Sequence, residues 1–162
     1  MGSNAHVVLV PVMRNDIRRV ASRLRDADRN ELVAASGLAP VLALARSVRL
    51  RGEAWTIMVD GRAEGACGVA RAGSQLASVG VPWFVATDVL IRKCRRQLLR
   101  KPRLILKSWL REYNELVNYV DVRHTAAVHW LEHIGATLDE PEPYGPFKMP
   151  FRRFVFDGDS HV

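Results

Sequence analysis

Two cysteines, Cys67 and Cys94, are all that the 162-residue chain contains. They are too few for the disulfide framework of a small secreted domain, so a reducing cytoplasm is the expected compartment. No apolar run approaches the ~20 residues of a membrane span, and Met1-Gly2-Ser3-Asn4-Ala5 opens the chain without a leader pattern. A membrane is therefore not an expected partner. There is no internal repeat and no low-complexity segment. Acids are missing from one place in particular: between Arg92 and Arg103 the charged residues are Lys93, Arg95, Arg96, Arg100 and Lys101, all positive. Glycine is missing there too.

What is present is a basic, ordinarily hydrophobic chain. Lys and Arg number 24 against 17 Asp and Glu, for a net charge of +7, and 48% of residues are hydrophobic. The excess of cations favours a polyanionic partner: nucleic acid, an acidic protein face, or a phosphate-rich cofactor. The length suits one domain spanning residues 1–162, with residues 1–5 expected outside the fold and residues 157–162 expected as a flexible tail. A chain of this size buries enough surface to fold without a disulfide or metal staple.

Residues 6–13 are β-branched and read as a strand, with Pro11 suited to an edge. Asn15 and Asp16 start a helix carrying Ile17, Val20, Ala21 and Leu24 at helical spacing. Asp28 and Glu31 have the spacing of a capping box, and Pro40 suits the first turn of another helix that Gly52 would stop. Residues 54–60 and 63–71 read as strands around a strong Asp60-Gly61 hairpin signal, and residues 76–86 complete an antiparallel meander. The basic stretch reads as a loop with a short helical piece before a helix opened by Pro102. Residues 116–122 form a strand and residues 125–134 a helix ended by Gly135. Two short strands, 136–139 and 151–156, flank a Pro/Gly-rich loop over 140–150. This order predicts an α/β (α+β) fold with a mixed sheet.

The segment Val122-Arg-His-Thr-Ala-Ala-Val-His-Trp-Leu-Glu-His-Ile-Gly-Ala136 resembles the Asn-x-x-Ala-x-x-Leu-Tyr-x-x-x-Gly-Phe segment of GNAT acyl-CoA N-acyltransferases, with Ala127 and Gly135 in register. The wider pattern of Asn118–His124, Trp130–Gly135, Tyr144-Gly-Pro-Phe147 and Pro150-Phe-Arg-Arg-Phe154 is similar to a GNAT-like family of podoviruses. That family is named for the gene-thirteen product, or internal virion protein A. Leu24-Arg25, Ala54-Trp55 and Val81-Pro82-Trp83 extend the likeness over nearly the whole chain.

The resemblance implies a mostly antiparallel sheet of six to seven strands flanked by helices. Its fourth and fifth strands would splay to hold the pantetheine arm of acetyl-CoA or another acyl-CoA. Phe84, Val85, Ala86 and Thr87 would lie along that arm. The next helix start would hold the pyrophosphate. The family's glycine-bearing phosphate loop is replaced here by Arg92-Lys-Cys-Arg-Arg-Gln97, so Arg92, Lys93, Arg95 and Arg96 would act through charged side chains instead. His124 stands at the family's Asn position and Leu131 at its tyrosine position, and no glutamate lies on the fourth strand.

Asp88 and His124 are the candidate catalytic residues, His124 also touching cofactor, while Tyr144 and Phe147 form a substrate or partner lip with Phe151 behind them. Cys94 among its cations would hold a lowered pKa if exposed. His129 and His133 have zinc-compatible spacing with no third ligand pattern, so no metal is expected. The four tryptophans read as core. The implied function is acyl transfer to a host or phage protein or a small amine, by a monomer or homodimer in the host bacterial cytoplasm. The alternative is an inactive scaffold that binds proteins in virion assembly or host takeover. Nucleic-acid binding is disfavoured, because no recognition motif or stacking aromatics accompany the charge.

Overall fold

The computed structural model describes residues 5–50, 52–73 and 78–158. The elements run β1 (Val7–Pro11), α1 (Arg14–Ala21), α2 (Asp26–Ser36), α3 (Pro40–Arg49), β2 (Gly52–Val59), β3 (Arg62–Ala72), β4 (Val79–Ala86), α4 (Asp88–Trp109), β5 (Glu115–Asp121), α5 (Thr125–His133), β6 (Thr137–Tyr144) and β7 (Met149–Asp157). The seven strands make one sheet in the order β1-β2-β3-β4-β5-β7-β6. Every neighbouring pair is antiparallel except β4 with β5. Asp60 and Gly61, both at positive φ (49° and 79°), close the two-residue hairpin between β2 and β3, as their sequence predicts.

Helices cover both faces. On one, Ile17, Val20 and Leu24 join Leu44 of α3 over Ala63, Ala66 and Val85. On the other, Leu90 and Cys94 of α4 pack on Ile57 and Cys67. Farther along that face, Leu106, Trp109 and Leu131 pack on Leu116, Val120, Phe154 and Phe156. No single helix among the described residues is long and apolar enough to cross a membrane. Only α2 and α3 taken together pass that test, across a 69° bend.

Three expectations need correction. The basic stretch is helical throughout: α4 holds it whole, with one break in helical dihedrals at Cys94 (φ −118°, ψ 17°) and Pro102 inside rather than at the start. Leu90, Cys94, Leu106 and Trp109 fall on the buried stripe, while Arg92, Lys93, Arg95, Arg96 and Arg100 point to solvent. The cations are the wet face of an amphipathic helix. Next, most of the expected loop over 140–150 is strand, because β6 extends to Tyr144 and only residues 145–148 turn. Pro141 and Pro143 are tolerated there because β6 is an edge strand, where a missing N–H breaks no ladder. Finally, Asp28 and Glu31 form no capping box: α2 starts at Asp26, and both side chains bond elsewhere.

The termini also differ. Ala5 belongs to the fold, packing beside α4 and accepting a hydrogen bond from Gln97 Nε2 (3.2 Å), and Asp157 ends β7. The remaining terminal residues, 1–4 and 159–162, lie outside the described residues, as do 74–77 in the meander.

Candidate functional site: a cleft between parted strands

The parallel strands β4 and β5 pair only where they begin, Val79 with Glu115 and Gly80 with Leu116. A side chain at Gly80 would strike Leu116, Val69 and Tyr113, at 2.7, 2.8 and 3.0 Å, so close pairing there depends on glycine. Pro82 explains why the pairing stops. In an extended strand a residue's N–H and C=O face the same neighbour. The Pro82 carbonyl faces β5 and accepts a hydrogen bond from Asn118 Nδ2 (2.8 Å), so the N–H that proline lacks is the next one the ladder needs. Asn118 Oδ1 in turn accepts the Tyr119 N–H (2.8 Å). One side chain thus seals the fork at the backbone. Beyond it, alternation turns the Phe84 backbone into the gap.

A cavity of about 890 Å³ occupies the fork. Phe84, Ile91, Leu98 and Trp130 line it on the face of α4 and α5, and Leu32, Trp83, Tyr119 and Tyr144 on the face of α2. The Phe84 and Trp130 rings meet at 5.2 Å between centroids. Trp130 is fixed by an Nε1–H bond to the Leu98 carbonyl (2.8 Å). Pro102 frees that carbonyl, since a residue with an N–H at position 102 would take it in a regular helix. Tyr144 stacks on Tyr119 at 4.0 Å and tilts against Phe151 at 5.1 Å. The turn that follows it packs Gly145 so closely on α2 that a Cβ there would lie 2.3 Å from the Ala34 carbonyl oxygen.

Near α2 the polar lining includes Arg25, Asp28, Glu31 and His124. Arg25 precedes α2 and its Nε–H bonds Asp28. Burial pushes the Asp28 carboxyl above its ordinary value, and Arg25 only partly offsets this. Glu31 reaches across to β5 and α5, where Oε1 accepts the Asp121 N–H (3.0 Å) and Oε2 lies 2.6 Å from His124 Nδ1. Asp121 is also buried, which alone would raise its pKa; the hydrogen bonds from the Arg123 side chain and backbone override this and hold it below its ordinary value.

Of the candidate catalytic, cofactor-binding and lip residues, Phe84, Val85, Arg95, His124 and Tyr144 line the cavity, as do Cys94, His129 and His133. Phe84 and Val85 belong to opposite faces, so Val85 packs under α1 and α3 rather than along the fork of α4. Ala86 and Thr87 lie outside the lining. Ala86 gives its carbonyl to the Arg25 N–H (3.1 Å), and Thr87 caps α4 and bonds Glu64. Arg92 and Arg96 are exposed on α4, and Lys93 pairs with Asp60 (2.7 Å). Asp88 is exposed in the first turn of α4 and does not line the cavity, and Phe147 is 59% exposed in the turn after β6. Cys94 does not meet the condition of exposure on which a lowered pKa depended. It is buried, and burial raises its pKa, so the neighbouring cations do not make it a thiolate. Among the described residues no group of His, Cys, Asp and Glu could hold a metal.

Sequence reasoning missed Glu31 as a partner of His124, because the two stand 93 positions apart and no local spacing links them. It also passed over Asn118, which reads as an ordinary strand residue until Pro82 is seen beside it.

No family model matches the chain, and no curated protein sequence does. Solved structures do. The ribosomal-protein-alanine N-acetyltransferase of Brucella melitensis superposes with a TM-score of 0.69 at 11% identity, over 93% of this chain and 99% of that one. A GNAT-family acetyltransferase from Streptococcus pneumoniae gives 0.61 at 13% identity over 93% and 99%. AAC(6′)-Ib, solved with ribostamycin and coenzyme A, gives 0.67 at 14% identity over 94% and 93%. At such identities the likeness is one of fold. The chain has the fold of the GNAT N-acetyltransferases, a seven-stranded mixed sheet flanked by helices.

Proposed function

We propose that this protein is an N-acyltransferase that moves the acyl group of acyl-CoA, acetyl-CoA in the first instance, to an amine. The parting of β4 from β5 carries the reading, because it leaves a cavity between unpaired strands where a slender carrier could lie. The pantetheine arm would run beside Phe84, whose backbone offers the hydrogen bonds that β5 does not take. Arg95, with exposed Arg92 and Arg96 on the same helix, would hold the phosphates. Guanidinium groups then replace the close backbone approach that glycine gives elsewhere. Acyl-CoA bound there supplies a thioester, the electrophile of the reaction. The acceptor would enter from the side of α2, where Tyr144, Glu31 and His124 line the wall. Asp88, exposed and off the cavity, has no part in this arrangement.

The acceptor we favour is a protein of a bacterial host or of a phage, in the host cytoplasm, in keeping with the podovirus-like sequence pattern. The working unit is a monomer or homodimer. The test is thermal. Acetyl-CoA at a hundred times its dissociation constant stabilises the native state by about 2.7 kcal/mol, a shift of several degrees in Tm. An Arg95→Ala/Arg96→Ala double variant should lose most of it.

One observation favours a second reading. The Phe84 and Trp130 rings meet between β4 and α5, and in an inactive scaffold that docks onto a host or virion protein they would simply close the slot. That reading requires an unchanged Tm at millimolar acetyl-CoA.

A further inference from the structure

Resting on the acyl-transfer reading, we infer that Glu31 and His124 form a proton-abstracting pair, with His124 Nε2 taking the proton from the acceptor's ammonium group. Both Glu31 oxygens are committed, one to the Asp121 N–H and the other to His124 Nδ1. An ionised carboxylate has no proton to give, so the Nδ1 contact requires Nδ1–H, and the neutral ring then keeps its lone pair on Nε2. His124 is 5% exposed and stands at the entry to α5, where its backbone N–H bonds the Asp121 carbonyl (2.9 Å) and its backbone carbonyl takes the N–H of Ala127 (3.0 Å). Nε2 is buried without a hydrogen-bond partner among the described residues, and the ring lines the cavity. A buried polar atom left unpaired beside a cavity is one that a ligand would satisfy.

Asp28 and Glu31 of α2 and Asp121 of β5 face the ring, while Arg25 and Arg123 are engaged by Asp28 and Asp121.

The step balances. Nε2 takes one proton from the ammonium, and the freed nitrogen lone pair forms the C–N bond at the thioester carbonyl carbon. The C–S bond breaks, and the second proton on that nitrogen neutralises the departing thiolate. The proton on His124 returns to solvent. Glu31 does not touch the acceptor in this scheme. It is a positioning residue that fixes the tautomer.

Glu31→Gln tests this without removing the ring. A glutamine oxygen still accepts the Asp121 N–H, but its amide then faces Nδ1 and demands the opposite tautomer, which places the proton on Nε2. Long-range ¹⁵N–¹H NMR of the full chain should report Nδ1–H for neutral His124 in the wild type and Nε2–H in Glu31→Gln. With acetyl-CoA and a lysine peptide or polyamine as probe acceptors, thiol release should fall about 100-fold in kcat in Glu31→Gln and in His124→Gln, within the usual range for losing acid–base catalysis. KM for acetyl-CoA should stay put, Glu31→Asp should recover part of the rate, and the pH dependence of kcat should flatten in His124→Gln. Failure of the wild type to bind acetyl-CoA in calorimetry would remove the transfer reading and this inference with it. Normal binding with an Nε2–H tautomer, with no transfer to either probe amine, or with an unaltered pH profile in both glutamine variants would overturn the pair alone.

Discussion

Asp121 ends β5 and is 2% exposed, and its carboxylate is met by the Arg123 Nε–H (2.9 Å) and by the Arg123 backbone N–H (2.9 Å). Its folded-state pKa lies below the ordinary 3.8, so it binds a proton less readily folded than unfolded. The stability it contributes is therefore complete above pH 3.8 and is lost as the pH falls through the folded value. Asp28 works in the opposite sense, because its raised pKa makes ionisation in the folded state cost stability once the pH exceeds 3.8. Asp121→Asn should flatten the acid limb of a stability–pH curve below about pH 4, and Asp28→Asn should weaken the decline above it, both read as urea midpoints across pH. The cysteines supply a second expectation. Burial pushes the Cys67 thiol up to about 12 and raises Cys94. Alkylation of the native protein at about pH 8 should label neither until urea unfolds the chain; rapid labelling of Cys94 would show an open α4. Single residues were the least legible level of the sequence. His124 could be picked out because it stands at the Asn position of the segment that the chain resembles, but Glu31, which fixes its tautomer, comes from a helix whose approach is set by tertiary packing.

Among the elements, α4 departs furthest from its sequence. A run of cations with a proline in it reads as broken chain, yet the stripe of Leu90, Cys94, Leu106 and Trp109 holds it on the sheet, and packing overrides the local signal. The proline is accommodated because Trp130 takes the carbonyl it leaves free. Trp130→Phe should cost about 1 kcal/mol, the usual net worth of such a bond. The urea midpoint should fall with an unchanged slope. In a Pro102→Ala background the same change should cost less, since the substituted alanine supplies its own N–H to the Leu98 carbonyl. The two substitutions should then be non-additive in a double-mutant cycle. Equal costs in both backgrounds would mean that the indole bond and the proline are unrelated. The late strand β6 was hidden for a simpler reason. Its prolines are turn signals in any local reading, and only its position at the sheet edge makes them harmless.

At the scale of the molecule the sequence was far more legible. The order of strands and helices, the antiparallel meander and the Asp60-Gly61 hairpin all follow from periodicity and turn chemistry, and together they predict a mixed sheet. The parting of β4 and β5 came from the resemblance rather than from any pattern in the residues. The structure gives it a physical cause, in a proline with no hydrogen to offer and an asparagine that takes the place of the missing rung. Everything functional depends on whether that opening admits a carrier despite the aromatic pair beside it. Isothermal titration of acetyl-CoA into the wild-type chain asks this before any acceptor is known. The account predicts saturable binding with one site per chain; the absence of any binding heat at millimolar acetyl-CoA would contradict it.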